Sequence, residues 1–188
     1  YPVRGIDLSH HNGVVAWRRV KQAGIGFAWL KASEGADFRD EAFRRNALGA
    51  ARVGVPVGAY HFFTLCTPGE DQARNFLQAT ATARLRLPPA IDLEFAGNCA
   101  QRPSRKATGQ EPVLYVTPEF YDAYLINSPF QRRALWLRDV RGDLDRPLFS
   151  RVAWWQFASA GAVDGVDGPV DLNVFVGDAP GFRAQLAP

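Results

Sequence analysis

The feature that most limits the fold of this chain is an alternation. Apolar, β-rich runs recur at "VRGIDLS" (3–9), "IGFAWLKAS" (25–33), "VPVGAYHFF" (55–63) and "PAIDLEF" (89–95), with helix-like stretches between them. "VVAWRRVKQAG" (14–24) puts Val14, Trp17 and Val20 on one face and stops at Gly24. "DEAFRRNALGAARVG" (40–54) spaces Phe43, Ala47, Ala50 and Ala51 the same way and stops at Gly54. "GEDQARNFLQATATARL" (69–85) opens with acids, which suit the positive end of a helix dipole. Strand followed by helix, repeated, implies parallel strands with helices outside them. Further apolar runs follow at "PVLYVT" (112–117), "ALWLRDV" (134–140) and "VAWWQFA" (152–158), but the helical spacing between them loosens. The expected fold is therefore α/β: an irregular (β/α) TIM-like barrel, incomplete in its second half. A chain of 188 residues suits one domain, 1–188.

A barrel of this kind gathers its chemistry where strands end, at the carboxyl face. Here those ends carry Asp7, Ser9 and His10, then Lys31, Ser33 and Glu34, then Tyr60 and His61, then Asp92 and Glu94, then Tyr115, then Gln156. Strand starts carry Pro, Val and Ile instead. Strand ends are in general more polar than strand starts, which accounts for part of this pattern. It does not account for acids closing two separate apolar strands.

The sharpest case is "PPAIDLEF" (88–95), where two acids end an apolar run. Residues i and i+2 of a strand share a side, so Asp92 and Glu94 project together, roughly 6–7 Å apart along the backbone. Two carboxyls in a partly desolvated cleft do not both ionise cheaply, and the pKa of one rises. A protonated acid beside a charged partner is the division of labour that glycoside hydrolysis needs. Glu94 lies nearer the open end and reaches further, so it is the expected proton donor. The competing reading is a surface strand with solvated or Arg-paired acids, which the flanking "PPAI" disfavours.

Taken in order, "GIDLSHHNG" (5–13), "LKASEG" (30–35), "VGAYHFF" (57–63), "IDLEF" (91–95), "PVLYVT" (112–117), "WWQFA" (154–158) and "GVDGPVDLNVF" (165–175) resemble glycoside hydrolase family 25, the muramidases. Each motif alone is weak; seven in sequence along nearly the whole chain are specific. The resemblance implies a lysozyme cutting the β-1,4 bond from N-acetylmuramic acid to N-acetylglucosamine in peptidoglycan glycan strands. It implies that Glu94 is the catalytic acid and that Asp92, Asp7 and Asp171 line the same cleft. It also implies that the sugar's acetamido oxygen is the internal nucleophile, a known exception to the two-carboxylate rule. Tyr60, Tyr115, Gln156 and His10 are the expected substrate-binding residues. No cofactor is implied.

Two departures stand out. His11 occupies a place where the family usually has Trp, which alters a sugar-stacking contact. The segment "AGNCAQRPSRKATGQEPVLY" (96–115) is short where relatives have a full helix, so either the helix is deleted or residues are absent between about Arg105 and Thr108. The two cysteines follow the third and fourth strands on neighbouring loops. A Cys66–Cys99 disulfide is sterically reasonable there, against the alternative of two free thiols. A bridge implies an oxidising compartment, secreted or periplasmic. The chain has no Met, so Tyr1 is read as following a removed leader.

Other functions are disfavoured. Adjacent His10 and His11 point apart on a continuing strand, so with Asp7 and His61 they do not make the three-ligand set of a hydrolytic zinc; no metal is expected. Lys and Arg are scattered and the net charge is only +3, which argues against nucleic acid. No apolar run reaches the roughly 18–20 residues of a membrane span. The expected state is a monomer. Of Trp154 and Trp155, at most one should meet sugar. A chitinase-like hexosaminidase, which shares the D-x-E pair, and a non-catalytic sugar-binding relative remain as alternatives.

Overall fold

The computed structural model describes residues 1–99, 112–140 and 150–187. Its strands are β1 (Arg4–Leu8), β2 (Ile25–Glu34), the two-residue β3 (Phe38–Arg39), β4 (Val57–Phe62), β5 (Ala90–Leu93), β6 (Val113–Val116), β7 (Leu135–Arg138), β8 (Val152–Gly161) and β9 (Val170–Phe175). The seven apolar runs expected as strands all form one. β1, β2, β4, β5, β6, β7 and β8 pair in parallel in that order. β9 then runs antiparallel between β8 and β1 and closes the ring at eight strands, while β3 adds to the outer end of β2. The sheet itself is therefore complete, and among the described residues the loosening of the second half lies in the layer around it.

That outer layer is uneven. α1 (Trp17–Gln22), α2 (Phe43–Arg52) and α3 (Gly69–Thr80) cover the first half. All three are shorter than their sequence runs. α1 starts late because the N–H of Ala16 bonds to the carbonyl of Gly165 at 2.7 Å. α3 stops at Thr80, whose hydroxyl bonds back to Phe76 O at 2.9 Å, a contact that competes with helix continuation. On the other half, α4 (Pro118–Phe120) is capped by Thr117 and runs into a π-helical turn, Tyr121–Leu125; α5 (Ala179–Ala184) ends the fold under an Asp178 cap. The question of chain continuity between Cys99 and Pro112 falls on 100–111, outside the described residues.

Side-chain alternation divides the core. Outward residues such as Ile6, Leu8, Ala28 and Leu30 pack under α1, α2 and α3. Leu114, Val116, Leu135 and Leu137 pack under Phe120, Tyr121 and Leu125. Inward residues Phe27, Trp29, Ala90, Val113, Tyr115, Trp136, Trp154 and Phe175 fill the barrel. Trp29 stacks on Trp136 at 5.0 Å with an angle of 20°, and Trp154 meets Trp29 edge-on at 5.9 Å. Two glycines make room for this plug: a Cβ on Gly5 would lie 2.3 Å from the Phe27 ring, and one on Gly58 would lie 2.4 Å from the Trp29 ring. With the lower barrel filled by rings worth about 1.5–3 kcal/mol each on burial, polar side chains collect at the opposite, carboxyl end.

Candidate active site

Each parallel strand contributes its last inward residues to one rim: Asp7 from β1, Lys31 from β2, Tyr60 from β4, Asp92 from β5, Tyr115 from β6, Arg138 from β7 and Gln156 from β8. β9 runs the other way, so its beginning, with Asp171 and Asn173, reaches the same rim. Asp7 stands directly opposite Asp171, and Gln156 opposite Asn173. Reversal of one strand thus sets a fourth carboxylate against the first.

A buried polar chain anchors Asp7. Its Oδ2 accepts from Gln156 Nε2 and from Asn173 Nδ2, both at 2.8 Å. Behind these, Tyr115 donates its hydroxyl to Gln156 Oε1 at 3.0 Å, and Trp136 Nε1 donates to Asn173 Oδ1 at 2.7 Å. Gln156, expected to meet sugar, is only 1% exposed and has both ends of its amide engaged. Its place is behind Asp7. Tyr115 is likewise buried, whereas Tyr60 is half-buried and has Asp7 and Asp92 near its hydroxyl.

The four acids repel one another. Burial first and Asp171 second push the Asp7 carboxyl up to about 8, against the lowering effect of the two amide donors. Burial and then Glu94 raise Asp92 well above the carboxylate range. Burial raises Glu94 also, moderated by Arg138 and Lys31 and reinforced by Asp171. Burial raises Asp171, while a hydrogen bond from Asp7 and the charge of Arg138 pull it down. Asp92 is 7% exposed, and its Oδ1 is buried without a hydrogen-bond partner. A buried carboxylate oxygen left bare costs free energy, so it is poised to accept from a donor that arrives with a ligand.

Glu94 sits just past the end of β5, on a turn held from below. Asn98 Nδ2 donates to Glu94 O at 3.0 Å and to Phe63 O at 2.7 Å, while Asn98 Oδ1 accepts from Leu65 N at 2.5 Å. Gly97, at φ 75°, makes the turn that brings Asn98 back beneath Glu94. The next residue, Cys99, is disulfide-bonded to Cys66, with Cα atoms 5.5 Å apart, so the loops after β4 and β5 are tied together beside the acid.

The histidines are otherwise engaged. His10 donates its backbone N–H to Asp40 Oδ2 at 2.8 Å and sets its Nδ1 2.9 Å from the same oxygen. It braces the turn after β1 against the residue that also receives Ala42 N–H at the start of α2. The ring of His10 lies 3.9 Å from that of His11. His61 is buried between Ser33 Oγ at 2.8 Å and Gln72 Oε1 at 3.1 Å, and burial lowers its pKa. Gln72 Oε1 only accepts, so His61 carries its proton on Nε2 and accepts from Ser33. Among the described residues, no group of three or more His, Cys, Asp or Glu is placed to hold a metal ion. Trp154 is in the core, and Trp155 on the outer face donates to Asp139 O at 2.8 Å.

The expected acids Asp7, Asp92, Glu94 and Asp171 thus come together. Sequence reading missed Arg138, Asn173 and Asn98. Arg138 carried a usable signal, since it ends the apolar run "ALWLRDV" as the acids end theirs. Asn173 is at i+2 from Asp171 and so shares its side of β9.

Comparison with known proteins adds to this geometry. The family model described as glycosyl hydrolases family 25 matches residues 6–166, a range that takes in Asp7, Asp92 and Glu94 and ends before Asp171. The protein YegX of Escherichia coli (strain K12), itself named as uncharacterized, is 33% identical over 202 aligned residues, covering 98% of this chain and 73% of YegX. Lysozyme M1 of Streptomyces globisporus is 29% identical, covering 94% of this chain and 69% of the lysozyme. The solved structure of a family 25 glycosyl hydrolase from Bacillus anthracis superposes with a TM-score of 0.84 at 28% identity, covering 98% of this chain and 94% of that one.

Proposed function

The chain belongs to glycosyl hydrolases family 25, and from that premise we propose that it is an N-acetylmuramidase, cleaving the β-1,4 bond between N-acetylmuramic acid and N-acetylglucosamine in peptidoglycan. The observation that carries the reading is the buried, unpartnered Oδ1 of Asp92 next to Glu94. A 2-acetamido sugar brings an amide N–H that satisfies that oxygen. The contact turns the acetamido carbonyl toward the anomeric carbon and leaves Asp92 beside the cation that forms.

Glu94, whose pKa burial and Asp171 raise against the pull of Arg138 and Lys31, gives its proton to the departing glycosidic oxygen. The acetamido oxygen attacks from the opposite face of the sugar and closes an oxazolinium ring, whose N–H stays hydrogen-bonded to Asp92 Oδ1. Water then opens that ring from the side of Glu94, which now acts as base. Two inversions give net retention. Asp92 and Glu94 come from the same strand end, so neither is placed across the sugar from the other, which favours the internal nucleophile. Tyr60 at the rim contacts the substrate in this reading, while Tyr115 and Gln156 act from behind Asp7. His10 bears on the cleft through the turn it braces.

A disulfide and a cell-wall substrate both point to a place outside the cytoplasm, secreted or in the envelope. Among the described residues, no helix is long and apolar enough to cross a membrane. Turbidity loss of purified peptidoglycan, run beside release of sugar from chitin, tests the activity. Clearing of peptidoglycan with little action on chitin is expected, and preference for chitin would move the protein to the hexosaminidase reading. Proton NMR of the first product, taken before mutarotation, should show the β-anomer. An α-anomer first would eliminate the substrate-assisted route.

A further inference from the structure

Asp7 and Asp171 face each other across the β1–β9 ladder, where side chains directly opposite lie about 5 Å apart at Cβ. Two carboxylates this close in a buried site do not both stay charged. The hydrogen bonds around Asp7 determine where a shared proton must sit. Trp136 Nε1 can only donate, so the Asn173 oxygen faces Trp136 and the Asn173 amide hydrogens face Asp7. Gln156 Nε2 reaches the same Asp7 oxygen. Oδ2 therefore accepts two hydrogen bonds and has no place for a proton. Oδ1 is left for the hydrogen bond to Asp171.

We infer that Asp7 is held as the neutral acid at neutral pH, with its proton on Oδ1 donated to Asp171, and that it serves as a positioning residue that keeps Asp171 as the charged member of the pair. The two amide donors pull toward an ionised Asp7, but burial and the other groups around it outweigh them. From β4 and β6 the hydroxyls of Tyr60 and Tyr115 approach it, from β5 comes the acid Asp92, and from β9 Asp171. Among the described residues, no cation is among the groups acting on Asp7, whereas Arg138 from β7 acts on Asp171. Lys31 from β2 acts on Asp92 and Glu94. Asp7 is then unavailable as a general base, and any base on that wall of the cleft is Asp171. The inference concerns the same cleft as the muramidase reading but stands on side-chain geometry, so either can fail without the other.

The test uses the whole chain and needs no substrate. In protein labelled with carbon-13 at aspartate side chains and assigned through the backbone, the Asp7 carboxyl should remain protonated through neutrality and titrate near pH 8. Asp171→Asn should bring that midpoint down. In Asp7→Asn, the amide nitrogen supplies the donor to Asp171 and the oxygen keeps the two acceptor contacts. A carboxyl raised from 3.8 to about 8 takes up a proton on folding between those values, so its stabilising effect is full below 3.8 and is lost as pH rises to 8. The Tm of Asp7→Asn relative to wild type should therefore climb by at least about 5 °C between pH 5 and pH 7. An Asp7 carboxyl already ionised at pH 6 would overturn the inference. So would a Tm difference that stays flat or falls over that range. If the variant does not fold, the titration of wild-type Asp7 decides alone.

Discussion

Asn98→Ala tests how the turn under Glu94 supports the chemistry. The substitution removes two donated hydrogen bonds, to Phe63 O at 2.7 Å and Glu94 O at 3.0 Å, and two accepted, from Leu65 N at 2.5 Å and Cys99 N at 3.1 Å. At about 0.5–1.5 kcal/mol each, four such bonds sum to about 2–6 kcal/mol. The site is only partly buried, so water recovers some of this and about 2 kcal/mol is the expected loss. That corresponds to a fall in Tm of about 4–8 °C for a chain of this size. The Cys66–Cys99 bond still tethers the loop, so the fold should survive. Glu94, however, loses the contact that fixes its carbonyl, and a misplacement near 1 Å costs up to about 100-fold in rate. Urea unfolding gives the stability change, and initial clearing rates over a range of peptidoglycan concentrations separate kcat from KM. The expected result is a kcat lower by about 10- to 100-fold with KM little changed. Asn98→Asp should be at least as impaired, because it puts a carboxylate against two carbonyl oxygens. Loss of stability with wild-type kcat would refute the claim that this turn positions the acid.

Other outcomes follow from the same structure. Gly58→Ala should cost about 1–3 kcal/mol in denaturant unfolding, because its Cβ would meet Trp29 ring atoms at 2.4 and 2.5 Å and Leu87 Cβ at 2.9 Å; unchanged stability would mean the plug is looser than described. Unreduced protein should show a mass two hydrogens below the free-thiol value, and reduction should destabilise it by about 3–4 kcal/mol in the loop-entropy account for a separation of 33 residues. Two freely alkylated thiols in folded, unreduced protein would remove the bridge. With Glu94 as the proposed acid, activity should fall as pH rises through that group's raised pKa. Arg138 pulls the Glu94 pKa down, so Arg138→Ala should move the alkaline limb of the pH profile to higher pH, and a shift to lower pH would contradict the electrostatic account.

The legible parts of the fold were those that depend on local pattern. Strands β1, β2, β4 and β5, with α1–α3 between them, follow from period-two and period-3.6 spacing that a reader can count. β9 was harder, because "VDLNVF" follows β8 with no helix between, and its direction depends on pairing with β1 at the far end of the chain. Asp7, Asp92 and Glu94 were legible because carboxylates ending apolar runs are costly without a purpose, whereas Asp171, near the start of β9, was implied only by the family resemblance. The chain from Trp136 through Asn173 and Asp7 to Gln156 and Tyr115 was not, since its members come from five strands and are neighbours only once the barrel closes. For the same reason Gln156 read as a ligand contact when it is a buried support. Nothing in "FAGNC" announces that the Asn98 side chain makes four hydrogen bonds.

The central claim is that Glu94 in this cleft cuts the bond on the muramic acid side. The most direct measurement digests purified peptidoglycan, reduces the new sugar ends with borohydride and identifies the alditol released by acid hydrolysis. Wild-type protein should yield muramitol, and Glu94→Gln should yield at least about 100-fold less at equal folded concentration, the scale of a positioned general acid. Glucosaminitol as the main product, or muramitol at a near wild-type rate from Glu94→Gln, would contradict the account.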